Sequence, residues 1–166
     1  MRATIYVAIP LMLLLAVLQT AVLPRFPIFG LVPQISFLVA LSWSLLHGLE
    51  EGLAWGFVAG IALDLFSIGP LGATALAYMT AVLAVAGLVR VLPENRFFIP
   101  VIMAALGSAI SLFVYLLFVR LLGFSASVET AVTLAPIILL NAGFMLPVYW
   151  LINSIDRRVY PRRVEL

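Results

Sequence analysis

Long apolar runs, broken by short clusters of proline, glycine and charge, divide the sequence into six segments. They cover residues 3–23, 28–47, 52–68, 71–92, 97–119 and 134–155. A helix needs about 20 apolar residues to cross ~30 Å of hydrocarbon, and each run reaches or approaches that length. Pro24-Arg25-Phe26-Pro27 closes the first, Gly69-Pro70 the third and Pro93-Glu94-Asn95-Arg96 the fourth. The third is short, spanning ~25 Å at 1.5 Å per residue. Pro100 and Pro136 fall in first turns, where a missing amide costs little. Pro10 and Pro147 fall inside helices and should kink them. The pattern predicts one all-α domain, residues 1–155, a compact bundle of six transmembrane helices. A short basic tail, residues 156–166, follows it.

Composition changes the picture in one respect: it fixes the solvent. Of 166 residues, 65% are hydrophobic and only 10% charged. A soluble domain carries nearer ~25% charge, so lipid must surround most of this chain. There is no cysteine and one histidine, His47, which rules out thiolate sites and a zinc site built mainly on histidine. No metal or cofactor is expected. The nine basic residues are all arginine and form no long stripe, so nucleic acid is not an expected partner. Residues 1–23 have the look of a secretory signal, but Leu18-Gln19-Thr20-Ala21 is a poor cleavage site. A retained first helix is expected.

Arginine distribution sets the orientation. Six spans put both termini on one side, with Arg2, Arg90, Arg96, Arg157, Arg158, Arg162 and Arg163. The other side carries Arg25 and Arg120. By the positive-inside rule both termini are cytoplasmic. Arg157, Arg158, Arg162 and Arg163 are then placed to contact the anionic inner leaflet; a topology signal alone is the other reading. In the 120–133 connection, Leu121, Phe124, Val128 and Val132 recur at helical spacing. That suits an amphipathic piece on the outer surface or a simple extension of helix six.

Within the third segment, Gly52, Gly56, Gly60 and Asp64 recur every four residues and share a face. Glycine at this spacing lets another backbone approach closely, either inside this bundle or at a subunit interface such as a homodimer. Asp64 is the only acid well inside a span, where an ionised carboxylate costs at least ~2.5 kcal/mol. It should therefore face the interior, and its depth predicts hydrogen bonds at the level of Gln34 and Asn141. Helix direction puts Gln19, Thr20, Gln34, Asp64, Tyr78, Ser111, Tyr115 and Asn141 at one level, in the outer half. This polar layer is either a shallow outward pocket or a set of helix-to-helix hydrogen bonds. No nucleophile–histidine–acid set accompanies Asp64, His47 sits at the opposite, inner end, and Glu50 and Glu51 read as a solvated loop.

Several of these stretches resemble the MreD family of bacterial rod-shape-determining membrane proteins. The resemblance rests on Leu18-Gln19-Thr20, Val32-Pro33-Gln34 and the run from His47-Gly48 to Gly72, with its Gly56-Phe57-Val58-Ala59-Gly60 block, Asp64 and Leu71-Gly72. It covers about the first 90 residues. One departure is plain: the family often has Pro-Asp where this chain has Pro33-Gln34. The resemblance implies a non-enzymatic role in the inner (cytoplasmic) membrane, in the elongation complex that builds lateral peptidoglycan. The implied partner is MreC, a single-span protein, with links to RodA, its penicillin-binding partner and MreB. It also implies a fold similar to the substrate-binding S subunits of energy-coupling-factor transporters. That likeness supplies the competing reading, a solute-binding subunit of a vitamin transporter. The outer loops, short apart from 120–133 and with only Arg25, Arg120 and Glu129 as charges, favour the scaffold.

Overall fold

The computed structural model describes residues 2–90, 98–124, 132 and 135–159. Six named α-helices run through them: α1 (Arg2–Val17), α2 (Ile35–His47), α3 (Leu49–Leu65), α4 (Ala73–Val89), α5 (Ile99–Leu121) and α6 (Pro136–Val159). Among the described residues there is no β-strand, only an isolated bridge between Ile28 and Leu31. Residues 125–131, which carry Val128 and half of the 120–133 connection, lie outside the described residues, as do Arg96, Arg162 and Arg163.

α1 does not stop at Val17. It widens into a π-turn, Leu18–Val22, then tightens into a 3₁₀ turn, Leu23–Arg25. The Thr20 hydroxyl donates to the Ala16 carbonyl at 2.7 Å, a back-bond that bends helices. Pro24 enters the 3₁₀ turn, where it has no amide to place.

The second segment departs most from expectation. The apolar run predicts a helix from residue 28, but α2 begins only at Ile35 and has 13 residues. Pro27 and Pro33 supply no amides. Between them Ile28 and Leu31 exchange two backbone hydrogen bonds, of 2.9 and 3.0 Å, around Phe29 and Gly30 at φ +52° and +78°. Positive φ at both central residues marks the tightest hairpin turn. Gly30 adopts it freely, whereas Phe29 must be held there. At the other end Gly48, at φ +92°, is the single residue between α2 and α3.

The short helix is the innermost one. Every residue from Ser36 to Ser44 is buried, and α2 touches all five other helices. The others surround it, with α3 against α1 and α4, α4 against α5, and α5 against α6. Phe37, Leu38, Leu41, Trp55, Met103 and Met145 fill the core. Outward faces remain apolar: Leu14, Phe57, Phe113, Leu139 and Trp150 are exposed. Apolar side chains on so many outer faces suit lipid rather than water. Three helical stretches, Tyr6–Arg25, Ile99–Leu121 and Pro136–Arg158, are long and apolar enough to cross a membrane. α2 and α4, at 13 and 17 residues, are shorter than the sequence runs predict, while α3 keeps the predicted 17 residues but begins three earlier, at Leu49. α6 continues to Val159, past residue 155, and carries Arg157 and Arg158 exposed in its last turn.

Candidate functional site

One end of the bundle holds a polar cavity of about 220 Å³. The π-turn of α1 points Gln19 and Thr20 into its wall, and the segment before α2 adds Gln34. Ser67 and Thr74 come from either side of the turn between α3 and α4. Tyr78 on α4 and Ser111 and Tyr115 on α5 complete the polar lining, beside Leu63, Ala77, Leu112 and Ile137. Six residues of the expected polar layer therefore border one space: Gln19, Thr20, Gln34, Tyr78, Ser111 and Tyr115. The Tyr78 hydroxyl faces the Gln19 side chain.

Asn141 stands behind that wall, fully buried. Its Oδ1 accepts the Gln34 amide at 2.9 Å, and its Nδ2 donates to Gln34 Oε1 at 3.1 Å and Ser108 Oγ at 3.0 Å. Ser111 donates to the Ser108 carbonyl at 3.0 Å, and Gln19 Oε1 accepts the Ser36 amide at 3.1 Å. These contacts supply what the irregular entry to α2 needs, because backbone amides that begin a helix have no partner within it.

Asp64 is placed differently from the sequence expectation. It is buried, at 5% exposure, but its carboxylate does not bond to Gln34 or Asn141. Oδ2 accepts the amides of Gly72 at 2.8 Å and Ala75 at 3.4 Å, and Oδ1 accepts that of Thr74 at 3.2 Å. The acid at the end of α3 thus caps the start of α4. Depth along a helix gave the right level, but the helix N-terminus, with its free amides and positive dipole end, is the stronger partner for a carboxylate.

The glycine face packs within the chain on two neighbours. A β-carbon at Gly52 would overlap the Ser44 side chain on α2. One at Gly60 would overlap the backbone of Ala75 on α4. At Gly56 there is more room, since the nearest atom is a Val82 methyl at 3.6 Å. The spacing is regular; the closeness is not.

The opposite end carries contacts that sequence reading missed. Trp43 lies between Trp55 and His47, with centroid distances of 4.3 and 4.4 Å. Its indole N–H donates to Glu51 Oε2 at 2.9 Å, so Glu51 is bonded rather than merely solvated. His47 Nε2 is 2.8 Å from Asp156 Oδ1, which ties the ends of α2 and α6. Ser67, Thr74 and Ser108 were also missed. For Ser67 and Thr74 the available signal was their position flanking the Gly69–Gly72 turn.

The family model for the rod shape-determining protein MreD matches residues 1–157. No curated protein and no solved structure matches the chain.

Proposed function

Because the chain belongs to the MreD family of rod shape-determining proteins, we propose that it is a non-enzymatic scaffold of the bacterial cell-elongation machinery. In this reading it holds an MreC-type single-span partner in the cytoplasmic membrane. The observation that carries it is the extent of the family match, from α1 to the last turn of α6. It crosses the membrane six times with both termini cytoplasmic, and its arginine-rich tail lies on the inner leaflet. The cavity side chains fit this role. They are amides and hydroxyls, several bonded to backbone or to one another, an arrangement that positions helices rather than moving protons. The glycine face is occupied by α2 and α4, so a partner helix engages another face. Lateral peptidoglycan synthesis is served indirectly, through contact with a RodA-type polymerase, its penicillin-binding partner and an MreB-type filament.

The test is complementation joined to capture. The full chain, expressed in a rod-shaped bacterium lacking its own family member, should restore rod shape. It should also copurify with the MreC-type protein of the same source when both are expressed. Round cells at normal expression, or no copurification in detergent that preserves both proteins, would sink the scaffold reading.

A further inference from the structure

We propose that the polar cavity is a binding site for a small uncharged molecule bearing carbonyl oxygens, independent of the scaffold role. Two backbone N–H groups fix which way the side-chain amides of Gln19 and Asn141 face. The Ser36 backbone N–H can only donate, so the Gln19 atom 3.1 Å from it is the carbonyl oxygen. The Gln34 N–H likewise fixes Asn141 Oδ1, which leaves the Asn141 NH₂ to meet Gln34 Oε1. Both glutamines therefore have their oxygens committed to protein. The Gln34 NH₂ has no hydrogen-bond partner among the described residues, whereas the Gln19 NH₂ meets the Tyr78 oxygen and so leaves the Tyr78 hydroxyl proton to point elsewhere; all three side chains line the cavity. Thr20 and Ser111 donate to carbonyls of their own helices, so they offer lone pairs rather than protons.

Charge and size narrow the ligand. Among the described residues no Arg, Asp, Glu or His lines the space, and the nearby Asp64 carboxylate is held by the amides of Gly72, Thr74 and Ala75. A charged ligand would lose its hydration with no counter-charge in return. A carbonyl, by contrast, would accept from the Gln34 NH₂ and the Tyr78 hydroxyl. The volume, about 220 Å³, is below the ~300–1,000 Å³ of pockets for drug-sized molecules. The four apolar lining residues would bury one face of a small compact molecule such as a neutral amide or imide.

The chain has no cysteine, so Ser111→Cys in the purified full-length protein puts a single thiol in the cavity wall. Its modification by N-ethylmaleimide is followed by intact mass, with succinimide as the probe and succinate as its charged counterpart. Succinimide should slow modification at least threefold and saturably, while succinate should not. A thiol placed outside the cavity, by Leu122→Cys, should be unaffected by either. Adding Gln19→Glu and Gln34→Glu keeps the oxygens that Ser36 and Asn141 need, removes the Gln34 donor and draws the Tyr78 hydroxyl proton onto the new carboxylate at position 19, so protection should vanish. Should that variant not remain monodisperse, the melting temperature of the unaltered protein decides: succinimide should raise it saturably, and succinate should not. Absence of protection by succinimide, equal protection by succinate, or a melting temperature indifferent to succinimide would each overturn the proposal and leave a water-filled recess.

Discussion

The Asp64 carboxylate lies 2.8 Å from the Gly72 amide, and this contact joins the end of α3 to the start of α4. Gly72 sits at φ +91°, a conformation that glycine adopts without steric cost. The turn between them brings Ser67 and Thr74 to the cavity wall. The acid is thus a structural element of the cavity rim, while not being part of its lining.

Substitution of Asp64 should follow the number of amides it serves. Asp64→Asn keeps one acceptor oxygen and turns an NH₂ toward amide donors. It should cost about 1 kcal/mol, in the range for losing a helix cap. Asp64→Leu leaves three amides unserved, two of them partly buried and one, Ala75, buried. At ~1–3 kcal/mol per unsatisfied buried group, the Leu variant should be clearly less stable than the Asn variant. Thermal unfolding in detergent would measure the order; equal melting temperatures would refute the capping role.

The two central glycines should part company. Gly60→Ala drives a methyl into the backbone of Ala75, and backbone cannot rotate aside. It should destabilise by at least ~1–3 kcal/mol, the usual range for overpacking. Gly56→Ala meets its nearest atom at 3.6 Å, an ordinary contact, and gains up to ~1 kcal/mol of helix propensity. It should be neutral or stabilising. A matched pair of melting curves is the check, and similar losses in both variants would be inconsistent with the packing described.

Helical register explains why much of this was legible. Counting residues from the segment ends places Gln19, Thr20, Gln34, Tyr78, Ser111 and Tyr115 at one level, and the folded chain brings these six around one cavity. Counting cannot supply azimuth or competing partners. It therefore paired Asp64 with Gln34 and Asn141, when a nearer set of free amides existed. It also extended the second helix back to residue 28, because hydropathy sees Ile28, Phe29, Leu31 and Val32 and not the turn that Phe29 and Gly30 form. The Trp43, Glu51, His47 and Asp156 contacts join three helices and lay beyond any local pattern.

At that end of the bundle, Glu51→Gln and Glu51→Leu should differ. Gln retains a carbonyl oxygen for the Trp43 indole N–H, which Glu51 accepts at 2.9 Å. Leu does not, and Trp43 is buried, at 7% exposure, so the stranded donor should cost ~1–3 kcal/mol. Tryptophan fluorescence during thermal unfolding reads this directly. A Leu variant as stable as the Gln variant would show that the bond contributes nothing.

Topology gives the last prediction, because span number and terminus location are linked by parity. Three helical stretches are long enough to cross. If only these crossed, an odd number, the termini would lie on opposite sides. α2, at 13 residues, reaches only ~20 Å, yet it is enclosed by the other helices. Non-helical backbone at membrane depth is tolerated where protein buries it, so residues 28–34 can complete the crossing begun by α2. α3 and α4, at 17 residues each, reach ~26 Å, within what modest bilayer thinning absorbs. Six crossings then put both termini together, on the side that carries seven of the nine arginines. Fusions of a cytoplasm-active reporter before Met1 and after Leu166 should both be active, and an export-active reporter inserted near Ser125 should be active outside. Termini found on opposite sides would reduce the crossings to an odd number and remove the sidedness assigned to the cavity.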